Sequence, residues 1–272
     1  MAAGELHPAS AEEFARLMRT LVATHVFPDE AQAAAVWADA PWRIQVTAGG
    51  EVAVLDRWRD HLGLLAIEAL WCAPRSIPAH VRQLDALARE RGFAGVVSPA
   101  VPVEQRHEYE AGGLHVFETV VTFVLSRRDA RHPGPVADGL TIERAAAGDL
   151  GVIEALDARC FEAFWRFDRR RLERHLAVDR VALARQGAEP IGYTLTTVGR
   201  GDAVLGRLCV APERRRQGAG RALLDEAVAS AFESGCDRVT LCTQTRNRAS
   251  RSLYRDAGFR ETASRLAFLR SG

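Results

Sequence analysis

The sequence predicts an α/β chain of the α+β kind, built as two similar domains, each a mixed, largely antiparallel sheet flanked by helices. Three observations predict it. Strand-like runs come in groups of three between helical patterns, a charged and Pro/Gly-rich break divides the chain near its middle, and the same landmarks recur in the same order on both sides of it. With 272 residues, 47% of them hydrophobic, there is core material for one large or two modest domains. The break, at 127–139, replaces the apolar run Val120–Leu125 with charge, proline and glycine. It reads as a linker between a domain at 1–126 and another at 140–272.

In the second half a strand at 140–143 precedes a helix capped by Asp149, with Leu150, Ile153, Leu156 and Phe161 at roughly helical spacing. A second helix at 168–177 carries Leu172 and Leu176 on one face. Strands at 181–184, 191–198 and 204–210 are divided by the turn signals Gln186-Gly187 and Gly199–Gly201, as in an antiparallel meander. A helix over 220–234, with Ala222, Leu223, Ala227 and Ala231, ends at Gly235. A strand at 238–242, a helix at 249–256 stopped by Gly258, and a strand at 262–269 complete the half.

The first half repeats part of this order. A capping box, Ser10 to Glu13, opens a helix bearing Phe14, Leu17, Met18 and Leu21. Strands follow at 43–47, 52–55 and 64–71, then helix 79–91, strand 95–97, helix 103–111 and strand 116–125. Ala73-Pro74 mirrors Ala211-Pro212, Gly92 mirrors Gly235, and Tyr109 with Gly113-Leu114 mirrors Tyr254 with Gly258-Phe259. The interval from Pro74 to Gly92 is shorter than that from Pro212 to Gly235. The missing residues are those of a glycine loop.

Composition limits the function classes. A net charge of +1, from 36 basic and 35 acidic residues, provides no global field to attract nucleic acid or an anionic membrane, so neither partner is expected. Every basic side chain is arginine. Cys72, Cys160, Cys209, Cys236 and Cys242 are odd in number and widely spaced, unlike a disulfide framework or a zinc site with paired ligands, and no metal is expected. Neither a signal peptide nor a membrane span is read from the sequence, so the expected location is cytoplasmic. The oligomeric state, monomer or homodimer, stays open.

The segment Leu208-Cys209-Val210-Ala211-Pro212-Glu213-Arg214-Arg215-Arg216-Gln217-Gly218-Ala219-Gly220-Arg221 carries the chemistry. A strand runs through arginines and two glycines into a helix whose first amides are unpaired. Those amides and the positive end of the helix dipole suit a phosphate or pyrophosphate, and glycine admits it close to the backbone. A P-loop would need a Gly-Lys-Ser/Thr ending, and a dinucleotide fingerprint a third glycine and a parallel sheet. Neither is present.

This loop resembles the acyl-CoA loop of the GNAT superfamily of N-acetyltransferases, Arg/Gln-x-x-Gly-x-Gly/Ala, at Arg215, Gly218 and Gly220. The order of elements over 140–270 is similar to that family's, and Asn247-x-x-Ser250-x-x-Leu253-Tyr254-x-x-x-Gly258-Phe259 matches a second family feature. The resemblance implies transfer of an acetyl or short acyl group from acetyl-CoA to a primary amine of a small molecule, peptide or protein. It implies that the backbone at Leu208 and Val210 holds the pantetheine arm, and that amides of Arg215, Arg216, Gln217, Gly218, Ala219, Gly220 and Arg221 hold the pyrophosphate. Asn247 would bind the pantetheine side, and Tyr254 would protonate the leaving thiolate. The same residues also fit plainer roles: a tight turn for the glycines, a helix cap for Asn247, a core aromatic for Tyr254. A non-catalytic acyl-CoA sensor or scaffold is the alternative function.

The general base is not fixed by the resemblance. Asp202, Glu162, Asp168 and His175 are the candidates, and the strand at 204–210 carries Arg207 but no acid. Phe161, Phe164, Trp165 and Phe167 fit either an acceptor-site wall or core. In the first half Ala73-Pro74 is followed by Arg75-Ser76-Ile77-Pro78, without a glycine to admit a pyrophosphate. That half is expected to be catalytically silent.

Overall fold

The computed structural model describes residues 4–24, 26–27, 29–59, 63–131, 133–134 and 138–272. Two compact units result: Met1–Thr119 with Leu266–Gly272, and Val120–Arg265.

The first unit contains β1 (His7–Pro8), α1 (Ala11–Ala23), α2 (Glu30–Asp39), β2 (Ile44–Val46), β3 (Val52–Trp58), β4 (Leu64–Trp71), α3 (Ile77–Glu90), β5 (Gly95–Val97), β6 (Val101–Pro102), α4 (Arg106–Ala111) and the start of β7 (His115–Ser126). The predicted capping box is present: Glu13 N–H donates to Ser10 Oγ, and Ser10 N–H donates to Glu13 Oε2 at 2.9 Å. α2 is absent from the sequence reading. Asp29 starts it by accepting the Gln32 amide at 2.7 Å, but half of the helix is alanine and only Ala33 is buried, so no apolar period marks it. β2, β3 and β4 form an antiparallel meander, and β5 pairs parallel to β4 from Leu64↔Gly95 to Ala66↔Val97.

The second unit contains β8 (Leu140–Arg144), α5 (Leu150–Cys160), α6 (Arg169–Val178), β9 (Arg180–Gln186), β10 (Glu189–Val198), β11 (Asp202–Val210), α7 (Ala219–Glu233), β12 (Arg238–Gln244), α8 (Arg248–Asp256) and most of β13 (Arg260–Arg270). β8 to β11 are antiparallel neighbours in sequence order, and β12 runs parallel to β11 after the α7 crossover. Asp168 caps α6, accepting the Arg171 amide at 2.7 Å. Asp149 behaves differently from the expected cap: its carboxylate accepts the Ala146 amide at 2.9 Å within a short turn, and it pairs with Arg185. Phe161 stands just past α5 rather than on its face.

The final strands belong elsewhere than their position in the sequence suggests. Residues 120–126 of β7 pair antiparallel with β12, from Val120↔Gln244 to Ser126↔Arg238, inside the second unit. There Val121, Phe123 and Leu125 share a core with Leu224, Ala227, Val239, Leu241 and Phe259. The end of β13 pairs with β5 and β6 inside the first unit, where Ala267 and Leu269 join Leu65, Ile67, Val81 and Leu84. Each half therefore gives its last strand to the other's sheet. The described part of 127–139 also lies in the second unit, where Arg127 donates to the carbonyls of Cys236 and Phe232, and Gly134 N–H donates to Asp225 at 3.1 Å. A domain division at 126 and 140 does not coincide with the compact units. Backbone pairing is blind to side-chain order in the chain, and β7 and β13 carry comparable apolar faces, so nothing local in the sequence distinguishes the two edges.

Leu269→Ala should remove a fully buried side chain and cost about 2–5 kcal/mol. Amide exchange locates the effect: protection should fall in α3 and β5 of the first half, while β12 keeps its own. A loss confined to Val239–Leu241 would contradict the strand exchange.

Candidate active site

The site is built where β11 ends. Beyond Leu205↔Leu241 the parallel pairing with β12 stops, and Gly206 to Val210 continue along β10 alone. A wedge opens between the two strands at Leu208 and Val210. Gly192, opposite Val210 on β10, permits the close packing behind it: a Cβ there would stand 2.4 Å from the Cys209 carbonyl oxygen and 3.1 Å from Leu223 of α7.

At the mouth of the wedge the chain turns into α7. The Ala211 amide stays on the sheet, donating to Ile191 O at 2.8 Å, and Pro212–Arg214 make one tight turn. Arg216 (φ 65°) and Gly218 (φ 86°) then take the left-handed conformation, which for the arginine costs about 1–2 kcal/mol. Two such residues around Gln217 turn the successive amides of Arg216, Gln217, Gly218, Ala219 and Gly220 away from protein acceptors, and none of them donates to a described residue. These donors precede the positive end of a helix of 15 residues, which is the geometry of an anion site.

The amides of Arg215 and Arg221 are engaged instead, with Pro212 O at 3.4 Å and Gly218 O at 3.0 Å. Their side chains brace the loop. Arg215 Nε donates to Val210 O at 3.1 Å, while Arg221 holds Asp225 through contacts of 2.8 and 2.9 Å. Arg214 pairs with Glu189, and Arg159 with Glu213.

Across the wedge lies α8. A Cβ on Gly220 would be 3.7 Å from both Leu253 and Val210, so the first turn of α7, the end of β11 and α8 adjoin one another. Asn247 Oδ1 accepts the Ser250 amide at 3.1 Å and so caps α8, and its amide nitrogen has no partner among the described side chains. Tyr254 is buried against Phe123 (5.5 Å, edge-on) and Phe259 (6.1 Å). Burial pushes its phenol up to about 12, against the opposing hydrogen bond with Ser250. The hydroxyl is therefore protonated throughout the neutral range.

A buried polar cluster supports the other side of the sheet. Tyr193 donates to Asp157 Oδ1 at 2.6 Å, the Phe167 amide donates to Asp157 Oδ2 at 2.8 Å, and Arg207 Nε stands 3.7 Å from Asp157. The Arg207 guanidinium also donates to the Trp165 carbonyl and lies over the rings of Phe167 (3.6 Å) and Phe161 (4.2 Å). Phe161 and Phe167 are thus packed on a buried cation, while Phe164 and Trp165 contact each other edge-on at 5.1 Å. Asp157 and Tyr193 escape sequence reasoning because they come from a helix and a strand whose apolar periods they do not interrupt. The candidate bases are dispersed. Asp202 chelates Arg238 at the opposite end of β11, Asp168 caps α6, and His175 pairs with Asp179 at 2.6 Å. Glu162 pairs with Arg246, whose neighbour Asn247 caps α8.

The first unit repeats the wedge without the loop. β4 and β5 part after Ala66↔Val97, Tyr109 is buried, and Pro74–Ser76 form the same tight turn. The helix α3 follows directly at Ile77, and no residue from Ala73 to Ile77 has positive φ.

Known proteins share this fold and this stretch of sequence. The family model described as "Acetyltransferase (GNAT) family" matches residues 151–259. An uncharacterised N-acetyltransferase of Bacillus subtilis (strain 168), YhfO, is 35% identical over 114 residues, covering 40% of this chain and 73% of the relative. Among solved structures, a tandem GNAT protein from the clavulanic acid biosynthesis pathway superposes with a TM-score of 0.70 at 16% identity, covering 98% of both chains. A GCN5-related N-acetyltransferase from Sphaerobacter thermophilus gives 0.65 at 17% identity, covering 100% of this chain and 95% of the other. These structures share the fold; the family rests on the sequence matches, and by them the chain belongs to the GNAT family of acetyltransferases.

Proposed function

We propose that the second unit transfers an acetyl or other short acyl group from acetyl-CoA to a primary amine, borne by a small molecule, a peptide or a protein. The observation that carries this reading is the row of acceptor-free amides from Arg216 to Gly220 at the mouth of the β11–β12 wedge, with Tyr254 on the helix across it. A pyrophosphate is the ligand chemistry those amides fit, because each can donate to an anionic oxygen and Gly218 leaves open space above the backbone. The edge of β11 beyond its pairing with β12, at Leu208 and the amide of Val210, and the side-chain amide of Asn247 supply polar groups for the amide-bearing arm of the substrate.

The chemistry follows from these positions. The amine nitrogen forms a bond to the thioester carbon, the C–S bond breaks, and the sulfur takes the proton of Tyr254 Oη; the proton lost by the amine returns to solvent through a base. A phenol held up to about 12 keeps its proton until the thiolate develops. Its shift also sets a sign for stability. The neutral phenol is favoured in the folded state, so its contribution is complete below about pH 10 and is lost as pH rises through about 12.

Tyr254→Phe should lower kcat by about 10²–10⁴-fold in a free-thiol release assay across a panel of amines and peptides, with acetyl-CoA affinity nearly unchanged. In the parent enzyme kcat should show no descending limb attributable to a phenol between pH 7 and 10. Unchanged kcat in the variant would remove Tyr254 from the reaction.

Gly218→Val forces a β-branched residue into φ 86° and should weaken acetyl-CoA binding at least about tenfold by calorimetry. Gly201→Val, strained in the same way (φ 82°) at the β10–β11 turn, should lose stability and keep affinity. Equal affinity losses in the two variants would mean that the loop does not bind the ligand.

A further inference from the structure

We propose that Glu51, Cys72 and His80 of the first unit form a binding site for a zinc-class divalent cation, with one coordination position open. The topology brings the three together. Glu51 directly precedes β3 and Cys72 directly follows β4, and the register Val52↔Trp71 makes these two ends neighbours. His80 projects from the first turns of α3, which begins a few residues after Cys72. Glu51 Oε2 lies 2.7 Å from His80 Nε2, and one ligand atom from each of the three residues lies within 4.8 Å of the others.

Ligand atoms around a tetrahedral zinc with bonds of about 2.0–2.3 Å are about 3.3–3.6 Å apart, so the Glu51–His80 pair at 2.7 Å would open by about 0.6 Å and separations of up to 4.8 Å would close by about 1 Å to bring all three to one ion. Glu51 and Cys72 are partly exposed, which leaves a path for the ion and a place for a fourth, solvent ligand. Imidazole, thiolate and carboxylate together match the donor set of a zinc site rather than that of a hard cation such as magnesium.

A second, independent observation comes from the imidazole. His80 is 0% exposed, and its Nδ1 is buried with no hydrogen-bond partner among the described residues. A fully buried ring nitrogen without a partner costs about 1–3 kcal/mol, a cost that calls for a ligand or another explanation. Glu51 is held toward the cluster by the Ala73 amide, which donates to its Oε1 at 3.1 Å. A divalent ion binding the carboxylate, the neutral imidazole and the thiol displaces the thiol proton to solvent and forms the metal–sulfur bond, so that charge and protons balance. Cys72 precedes Ala73-Pro74 as Val210 precedes Ala211-Pro212. The cluster thus stands where the second unit has the mouth of its wedge, and the first unit carries a ligand site of a different chemistry.

The test uses the full chain, stripped with a chelator and titrated with Co²⁺. Uptake of one equivalent with a thiolate-to-cobalt charge-transfer band in the near ultraviolet, reversed by Zn²⁺, is expected. Cys72→Ser should abolish the band, and His80→Gln should weaken binding at least about tenfold. Circular dichroism establishes that each variant is folded, and Glu51→Gln, the mildest change, should weaken binding even if the others unfold. Absence of stoichiometric uptake at micromolar ion overturns the proposal. So does a band that survives Cys72→Ser, or one that is lost on Cys160→Ser instead.

Discussion

The parting of β11 from β12 beyond Leu205 and Leu241 is the constraint on which the second unit depends. A strand that loses its neighbour inside a sheet leaves backbone groups to be satisfied by side chains, water or a ligand. The surrounding residues preserve the opening. Gly192 lets β10 approach the end of β11 and the first turns of α7 without a side chain between them. Arg215 ties the loop back to the Val210 carbonyl, and the left-handed pair Arg216 and Gly218 directs the next amides outward. On the far side Phe123 and Phe259 fix the Tyr254 ring.

What could be read from the sequence was short-range. The glycine loop, the Asn247 cap and the Ser10 capping box each lie within a few residues and state their own geometry. The Arg215 and Arg221 amides show the limit of that reading: the motif marks the loop, but which donors are free depends on where φ turns positive, and that falls at Arg216 and Gly218. The Asp157–Tyr193–Arg207 cluster draws one residue from each of three elements, and α2 is an alanine-rich helix with little apolar face. The exchange of β7 and β13 is carried by backbone pairing, which leaves no pattern in the side chains. Glu51, Cys72 and His80 have no ligand spacing because an antiparallel register, not a short motif, makes them neighbours.

The two units show how one scaffold can diverge. Each has the meander, the parallel strand after a crossover helix, and a buried tyrosine on a short helix. The difference lies between the third meander strand and its helix. In the second unit the loop holds its amides open, and in the first, with Pro78 in the opening turn of α3, the helix begins without delay. Shortening that connection removes the row of outward amides while leaving the sheet and both hydrophobic cores intact.

The crossing of the last strands has a consequence for biosynthesis. As the chain leaves the ribosome, the first half emerges with β5 lacking the neighbour that the end of β13 will provide, and it must wait until residues 266–270 have been made. Meanwhile β7, already synthesised, has no β12 to join. The two halves of the chain are therefore coupled in time, because each unit takes one strand from the half made at the other time.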